Sequence, residues 1–262
     1  MQIGIASNPL KDPSYEKRNG LIRVAEECGW QTVAVDAPQD VFHAGMLDCL
    51  AVIGGDGTIL RFAKAAAVAN VPILGVNLGR IGFLTEISET EFASALMRMA
   101  EGAFSIDERM MLCASVNGAS AGLCLNDFLL YKSTFSGTIR IDAAVDGKRL
   151  WDVFSDGLIA STPTGSTAYC LSAGGPILAP GLDAIAVTPI CPHTLHVKPV
   201  VSSADADWTF RPLGECFLAS DGDKVLNLSE NDIVHITRSR ETAKLIRLSE
   251  LNVFDCIREK LS

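Results

Sequence analysis

Ala51-Val52-Ile53-Gly54-Gly55-Asp56-Gly57-Thr58 decides how this chain is read. An apolar run with no polar interruption enters a glycine-rich turn, and the Ala-rich stretch from Thr58 to Ala69 has helix-forming composition. A strand that is apolar on both faces belongs in a covered parallel sheet rather than on a half-solvated antiparallel one. Working outward, Ile3–Ala6, Thr32–Val35 and Val71–Val76 are further short β-prone runs. Between them, 13–28 reads as a helix closed by Gly29, and Ser88-Glu89-Thr90-Glu91 reads as a capping box opening a helix that Gly102 ends. Strands alternating with helices predict an N-terminal α/β domain over residues 1–102 with a parallel sheet.

Past residue 103 the period changes from that of helices to two. Ile139, Ile141, Ala143 and Val145 recur with period two, and Asn117-Gly118 and Asp146-Gly147 are hairpin signals between such runs. This predicts a mostly antiparallel, sandwich-like all-β domain over 103–247. A final helix within 248–262, from Asn252 to Leu261, is expected to pack back on the first domain.

The chain has 262 residues, of which 48% are hydrophobic, so a large buried core is available. Its formal charge of -9, without a Lys/Arg cluster, argues against a nucleic-acid binder. It leaves phosphate substrates open, because backbone amides and a metal ion supply local positive field. The eight cysteines form no C-x-x-C pair and sit in apolar segments, so they read as buried reduced thiols rather than zinc ligands. With no leader or long apolar run, the expected location is the cytoplasm.

The glycine turn is the first chemical signal. A strand–turn–helix junction aims backbone N–H groups and the positive end of the helix dipole at one point, which suits a phosphate. Neither the Walker A lysine nor the dinucleotide fingerprint spacing is present. Asp56 stands out, since a carboxylate in a phosphate cradle repels its ligand unless it holds a metal ion or takes a proton from an attacking hydroxyl. The plain alternative is a surface turn made of common turn residues. The second signal is Asp156-Gly157-Leu158-Ile159-Ala160-Ser161-Thr162-Pro163-Thr164-Gly165-Ser166-Thr167-Ala168-Tyr169, followed by Ser172-Ala173-Gly174-Gly175-Pro176. Read as a loop, it has little to bury but offers many hydroxyls and amides, with Tyr169 available to lie against a base. Its plain alternative is a Gly/Ser-rich loop with no ligand.

These segments, with Asn126-Asp127 between them, occur in the order and at intervals similar to those of the NAD kinase family. Residues 75–84 (Gly-Val-Asn-Leu-Gly-Arg-Ile-Gly-Phe-Leu) and 189–195 (Pro-Ile-Cys-Pro-His-Thr-Leu) resemble further family segments. The glycine turn is shared with diacylglycerol, sphingosine and phosphofructokinases, whereas the Thr/Ser segment is specific to NAD kinases. The resemblance implies that Asp56 is the catalytic aspartate activating the adenosine ribose 2′-hydroxyl of NAD. Gly54, Gly55, Gly57 and Thr58 would hold ATP phosphates, and Asn126, Asp127, Asp156, Thr167, Ala168, Tyr169 and Ser172 would line the NAD site. It also implies an active site between the two domains, a magnesium or manganese cofactor, and a homodimer or homotetramer. Asp127 stands where Glu is commoner, which shortens the reach to a sugar hydroxyl, and Cys170 stands where Ser is frequent. No protein residue is assigned to a metal.

Other residues read more plainly. His193 has no partner carboxylate nearby in sequence and reads as structural; His43, His196 and His235 lack metal spacing. Asp221-Gly222 matches a family Asp-Gly near the active site, but by composition it is a turn. Phe62, Phe83 and Leu84 read as core. Two other functions remain: a lipid or sugar-phosphate kinase sharing the glycine turn, and a non-catalytic NAD sensor, which predicts loss of the acid that Asp56 supplies.

Overall fold

The computed structural model describes residues 1–43, 45–79, 82–193, 196–249 and 258. The chain divides into two compact units, Met1–Arg109 with Glu241–Ser262, and Met110–Arg240.

The first unit runs β1 (Gln2–Ser7), α1 (Glu16–Glu27), β2 (Gln31–Val35), α2 (Asp40–His43), β3 (Cys49–Gly54), α3 (Asp56–Val68), β4 (Ile73–Asn77), β5 (Ile87–Ser88) and α4 (Phe92–Ala100). Here β1 pairs in parallel with β2 and β3, β3 with β4, and β4 with β5. Every residue of β3 and β4 is buried, as their unbroken apolar runs require. One face of the sheet, with Ile3, Ile5, Ala51, Ile53, Leu74 and Val76, packs on Leu21 and Ala25 of α1 and on Phe92, Leu96 and Met99 of α4. The capping box is present: Ser88 and Glu91 cap a 3-10 turn, Glu89–Glu91, that leads into α4.

The second unit is built from β6 (Ser105–Val116), β7 (Ala119–Cys124), β8 (Asp127–Lys132), β9 (Ile139–Val145), β10 (Lys148–Ser155), β11 (Gly157–Ser161), α5 (Tyr169–Ser172), β12 (Ala184–Ile190), β13 (Val200–Ser203), β14 (Trp208–Pro212), β15 (Cys216–Ser220), β16 (Asp223–Leu228) and β17 (Val234–Arg247). One antiparallel sheet runs β13-β12-β11-β8-β15-β16. The other joins β10, β9, β14 and β17 in that order, with β6 added on β17 and β7 on β6. Ile139, Ile141 and Ala143 of β9 and Trp208 and Phe210 of β14 meet Phe128 and Leu130 of β8, Leu158 of β11 and Leu218 of β15 in one core. That is an α/β domain with a parallel sheet, and a sandwich-like antiparallel β domain. The Asn117-Gly118, Asp146-Gly147 and Asp221-Gly222 turns all have positive φ at both residues, the backbone of a tight hairpin.

The structure revises three readings. The units part at 109/110 and 240/241 rather than at 102 and 247, because β6 and β17 each begin in one unit and end in the other; Leu245 of β17 lies in parallel register with Ile73 of β4. A single strand carries no change of pattern to mark such a crossing. The hydroxyl-rich segment is not an open loop: Ser161–Ser166 are buried, a 3-10 turn forms at Gly165–Thr167, and α5 follows. Cys170 is fully buried against Ile159, Ala186 and Leu178, so its side chain is core. Finally, Cys49, Cys124, Cys170 and Cys216 are buried, but Cys28 and Cys191 are exposed, at a helix end and in the turn after β12. The expected helix from Asn252 to Leu261 lies outside the described residues apart from Arg258, and so do Arg80, Ile81, Thr194, Leu195 and Cys256. None of the described helices is long and apolar enough to cross a membrane.

Candidate active site

In the first unit the glycine turn joins β3 to α3. Gly54 has φ +151°, and a Cβ there would come within 2.3 Å of the Thr58 hydroxyl, so the chain can bend this tightly only with glycine. Gly55 is the extended N-cap of α3, Asp56 and Gly57 form its first turn, and Thr58 is buried beneath. The amide end of a helix of 13 residues is thus presented where an anion would be held. Asn8, after β1, donates to the Thr58 hydroxyl at 3.4 Å.

Asp56 is half-buried rather than turned into open solvent. Its Oδ2 accepts from the Phe83 amide and its Oδ1 from the Leu84 amide, both at 3.0 Å. A Cβ on Gly82 would fall 1.9 Å from Oδ1, so the carboxylate lies flush against a backbone stripped of side chain. Two fixed amides hold the group in one orientation.

In the second unit the Asn126-Asp127 pair is gripped from two sides. Asp221 accepts from the amides of Leu125 (3.0 Å), Asn126 (2.7 Å) and Asp127 (3.3 Å). On the other side the Asn126 carbonyl accepts from the Thr162 amide at 2.9 Å and the Ser161 hydroxyl at 3.3 Å. The Thr162 hydroxyl donates to the Leu125 carbonyl at 2.6 Å. The small hydroxylated residues therefore fasten the Asn-Asp pair as well as lining a surface. Burial, reinforced by the negative charge of Asp221, pushes the Asp127 carboxyl up to about 7.

Asp156 makes an ion pair with Lys132 at 2.7 Å, and the same ammonium donates to the Gly137 carbonyl at 2.6 Å. Tyr169 is 41% exposed, and its hydroxyl pKa is raised first by burial, then by Tyr131, Cys191, Asp156 and Asp127. Those influences place Asp127, Asp156 and Tyr169 around one region of this unit. Thr167 and Ala168 are half-buried at the start of α5, Thr167 bonding back to the Thr164 carbonyl at 3.3 Å, and Ser172 is exposed at its end. His193 donates its backbone N–H to the Phe154 carbonyl at 2.8 Å, in keeping with a structural loop.

Residues 37–104 match the ATP-NAD kinase N-terminal domain model, and residues 125–248 match the ATP-NAD kinase C-terminal domain model. A NAD kinase of a Thermoanaerobacter species is 40% identical, covering 100% of this chain and 99% of its own. The NAD kinase of Moorella thermoacetica is 44% identical, covering 81% and 70%. The chain belongs to the NAD kinase family. It is therefore placed among the kinases, enzymes that transfer a phosphoryl group. Among solved structures, yeast NADH kinase complexed with NADH aligns with TM-score 0.89 at 23% identity, over 100% of this chain and 87% of that one. An NAD kinase from Archaeoglobus fulgidus in complex with ATP aligns with TM-score 0.80 at 22% identity, over 100% and 98%. At those identities the likeness speaks for the fold.

Sequence reasoning missed several of the residues that hold this candidate site together. Leu84 is core as expected, yet its amide and that of half-buried Phe83 hold Asp56. Asp221 is a turn residue as its composition suggested, and a clamp as well. Lys132, paired with Asp156, gave no signal at all, being one charge at the end of an apolar strand.

Proposed function

We propose that this chain phosphorylates NAD on the 2′-hydroxyl of its adenosine ribose, with ATP as donor, giving NADP. The observation that carries the reading is the carboxylate of Asp56, oriented by two backbone amides at the entrance of α3. Phosphoryl transfer asks a protein for positioning and charge stabilisation more than for covalent chemistry. The glycine turn offers amides and a helix dipole for the ATP phosphates at Gly54, Gly55, Gly57 and Thr58. Asp56 accepts the proton of the attacking hydroxyl through an oxygen whose other lone pair is already engaged, so it cannot rotate away. Asn126, Asp127, Asp156, Thr167, Ala168, Tyr169 and Ser172 bind NAD, with Tyr169 exposing a flat apolar face to the base.

Among the described residues there is no group of three or more His, Cys, Asp or Glu side chains able to cage a metal. Magnesium carried on nucleotide phosphates needs no such cage, only one or two carboxylates, and Asp56 in the first turn of α3 would supply one. When bound, the metal neutralises charge on the transferring group. A cytoplasmic homodimer or homotetramer completes the reading.

The test is direct: purified protein, NAD, ATP and magnesium, with NADP read by a coupled dehydrogenase. Diacylglycerol, sphingosine and fructose 6-phosphate serve as competing acceptors. NADP formation with no turnover of the others is the expected outcome. NAD binding by calorimetry with no NADP formed would mean a sensor instead.

A further inference from the structure

Asp56 can be placed no better than the amides that hold it, so the question becomes what fixes residues 82–86. Part of the answer is local: the Gly82 amide donates to the Thr85 hydroxyl at 2.6 Å, and the Glu86 amide donates to the Gly75 carbonyl of β4 at 2.9 Å. The rest comes from the far end of the sequence. The Glu86 side chain is 1% exposed; one of its oxygens pairs with Arg247 Nη1 at 3.0 Å. The other accepts from the amides of Leu248 (2.8 Å) and Ser249 (2.9 Å) and from the Ser249 hydroxyl (3.0 Å). Arg247 is itself 7% exposed. Its Nε reaches Asp107 at 3.1 Å, and Asp107 in turn takes a two-pronged contact from Arg109 at 2.8 and 2.6 Å. Its remaining nitrogen, Nη2, faces the Phe83 carbonyl at 3.5 Å.

That last contact joins the network to the site. The Phe83 carbonyl and the Leu84 N–H belong to one peptide group, and in a planar trans peptide they point in opposite directions. Arg247 holds the oxygen end of the plane while Asp56 Oδ1 takes the hydrogen end. Fixing one end fixes the other, and a cation at the oxygen polarises the N–H toward its acceptor. Stability alone does not account for the arrangement. Burying an ion pair costs several kcal/mol per ion in lost hydration, and an apolar pair of similar volume is often as stable or more so. What apolar side chains cannot supply is a directed grip on one carbonyl.

We propose that Arg247, held in place by Glu86, is a positioning residue for Asp56, acting through the 83–84 peptide. The proposal rests on the reading of Asp56 as the group that takes the ribose hydroxyl proton. Arg247→Lys is the informative variant, because lysine keeps the charge opposite Glu86 but has a single point of contact and loses the Phe83 carbonyl. With saturating NAD and ATP, kcat should fall roughly tenfold or more, while KM for both substrates stays within about twofold and thermal unfolding is little changed. In an Asp56→Asn background the same replacement should cost nothing further, since the group being positioned is gone. Wild-type kcat in Arg247→Lys, or an undiminished loss in the Asp56→Asn background, overturns the positioning role. If Arg247→Lys does not fold, Glu86→Gln carries the same expectation, because it keeps an acceptor for Leu248 and Ser249 but weakens the hold on the guanidinium. Failure of the wild-type protein to form NADP overturns the functional reading and this role with it; NADP formation with an unaffected Arg247→Lys overturns this role alone.

Discussion

Each unit contains a carboxylate that accepts hydrogen bonds from consecutive backbone amides, Asp56 from residues 83 and 84, and Asp221 from residues 125 to 127. In the function proposed above, the clamped carboxylate of the first unit is itself the reacting group, and the backbone is the tool that aims it. In the second unit the carboxylate is the tool, and the backbone it aims carries Asn126 and Asp127, proposed to bind NAD. The consequence differs as well: burial, reinforced by the charge of Asp221, pushes the Asp127 carboxyl up to about 7. In the proposed function one clamp prepares an acceptor for a proton; the other lies beside a carboxyl that holds its proton to higher pH than usual.

The largest effect expected from breaking this comparison is at Asp56. Asp56→Asn keeps size and two acceptor contacts at most in part, and removes the base. General-base assistance is typically worth about 10²–10⁴ in rate, so kcat should fall within that range while thermal unfolding and KM for NAD hold. Near wild-type turnover at saturating substrates would show that the clamp in the first unit aims nothing.

Next comes the proton on Asp127. Its carboxyl ionises near 3.8 ordinarily but near 7 in the folded chain, so the folded state binds the proton more tightly than the unfolded one. The contribution of this group should therefore be fully present below about pH 4 and be lost as pH rises from about 4 to about 7, by up to about 4 kcal/mol. Asp127→Asn, which resembles the protonated acid, should unfold at higher temperature than wild type at pH 8 and by a clearly smaller margin at pH 5. Equal shifts at both pH values would mean that Asp127 is ionised throughout, and the contrast between the clamps would be lost.

The two clamps can also be loosened directly. In Gly82→Ala the new methyl must displace the Asp56 carboxylate, so the loss should appear in kcat. In Asp221→Asn one oxygen facing the amides of Leu125–Asp127 becomes an NH₂ group, leaving a donor against donors at about 1–3 kcal/mol. Here the loss should appear in KM for NAD, roughly tenfold. Effects of the same kind in both variants would erase the distinction between aiming a base and aiming a binding pair.

These expectations also mark what the residues alone disclosed. The glycine turn, the parallel strands and the hairpins at Asn117-Gly118 and Asp146-Gly147 were legible because each rests on neighbours within a few positions. Asp56 was legible because a carboxylate in a phosphate cradle demands a reason. Neither clamp was, since Asp221 grips residues 94 to 96 positions away and Asp56 meets its two amides across 27 and 28. Nothing local to Asp221-Gly222 separates a turn that clamps from one that merely turns. The Ser161–Ser166 segment misled for the opposite reason. Small hydroxylated residues resemble loop composition, but here the hydroxyls of Ser161, Thr162 and Ser166 find backbone partners, Ser166 with the Pro163 carbonyl at 2.6 Å and the Leu178 amide at 3.0 Å, and that is what allows burial.

The smallest effect sharpens the second unit alone. Lys132, 12% exposed along its side chain, holds Asp156 in one position through a contact of 2.7 Å, and Asp156 retains 27% exposure. Because the carboxylate still reaches water, Lys132→Met should cost no more than about 1 kcal/mol of stability. Its signature should lie in binding: freed to rotate, Asp156 meets NAD less often in a competent position, and KM should rise about threefold, equivalent to roughly 0.7 kcal/mol, with kcat unchanged. A fall in KM would carry the opposite meaning, that Lys132 sequesters Asp156 from the dinucleotide and that NAD must break the pair to bind. The two outcomes differ in sign, so even a small change decides whether this lysine aims its carboxylate, as the amides of Phe83 and Leu84 do, or withholds it.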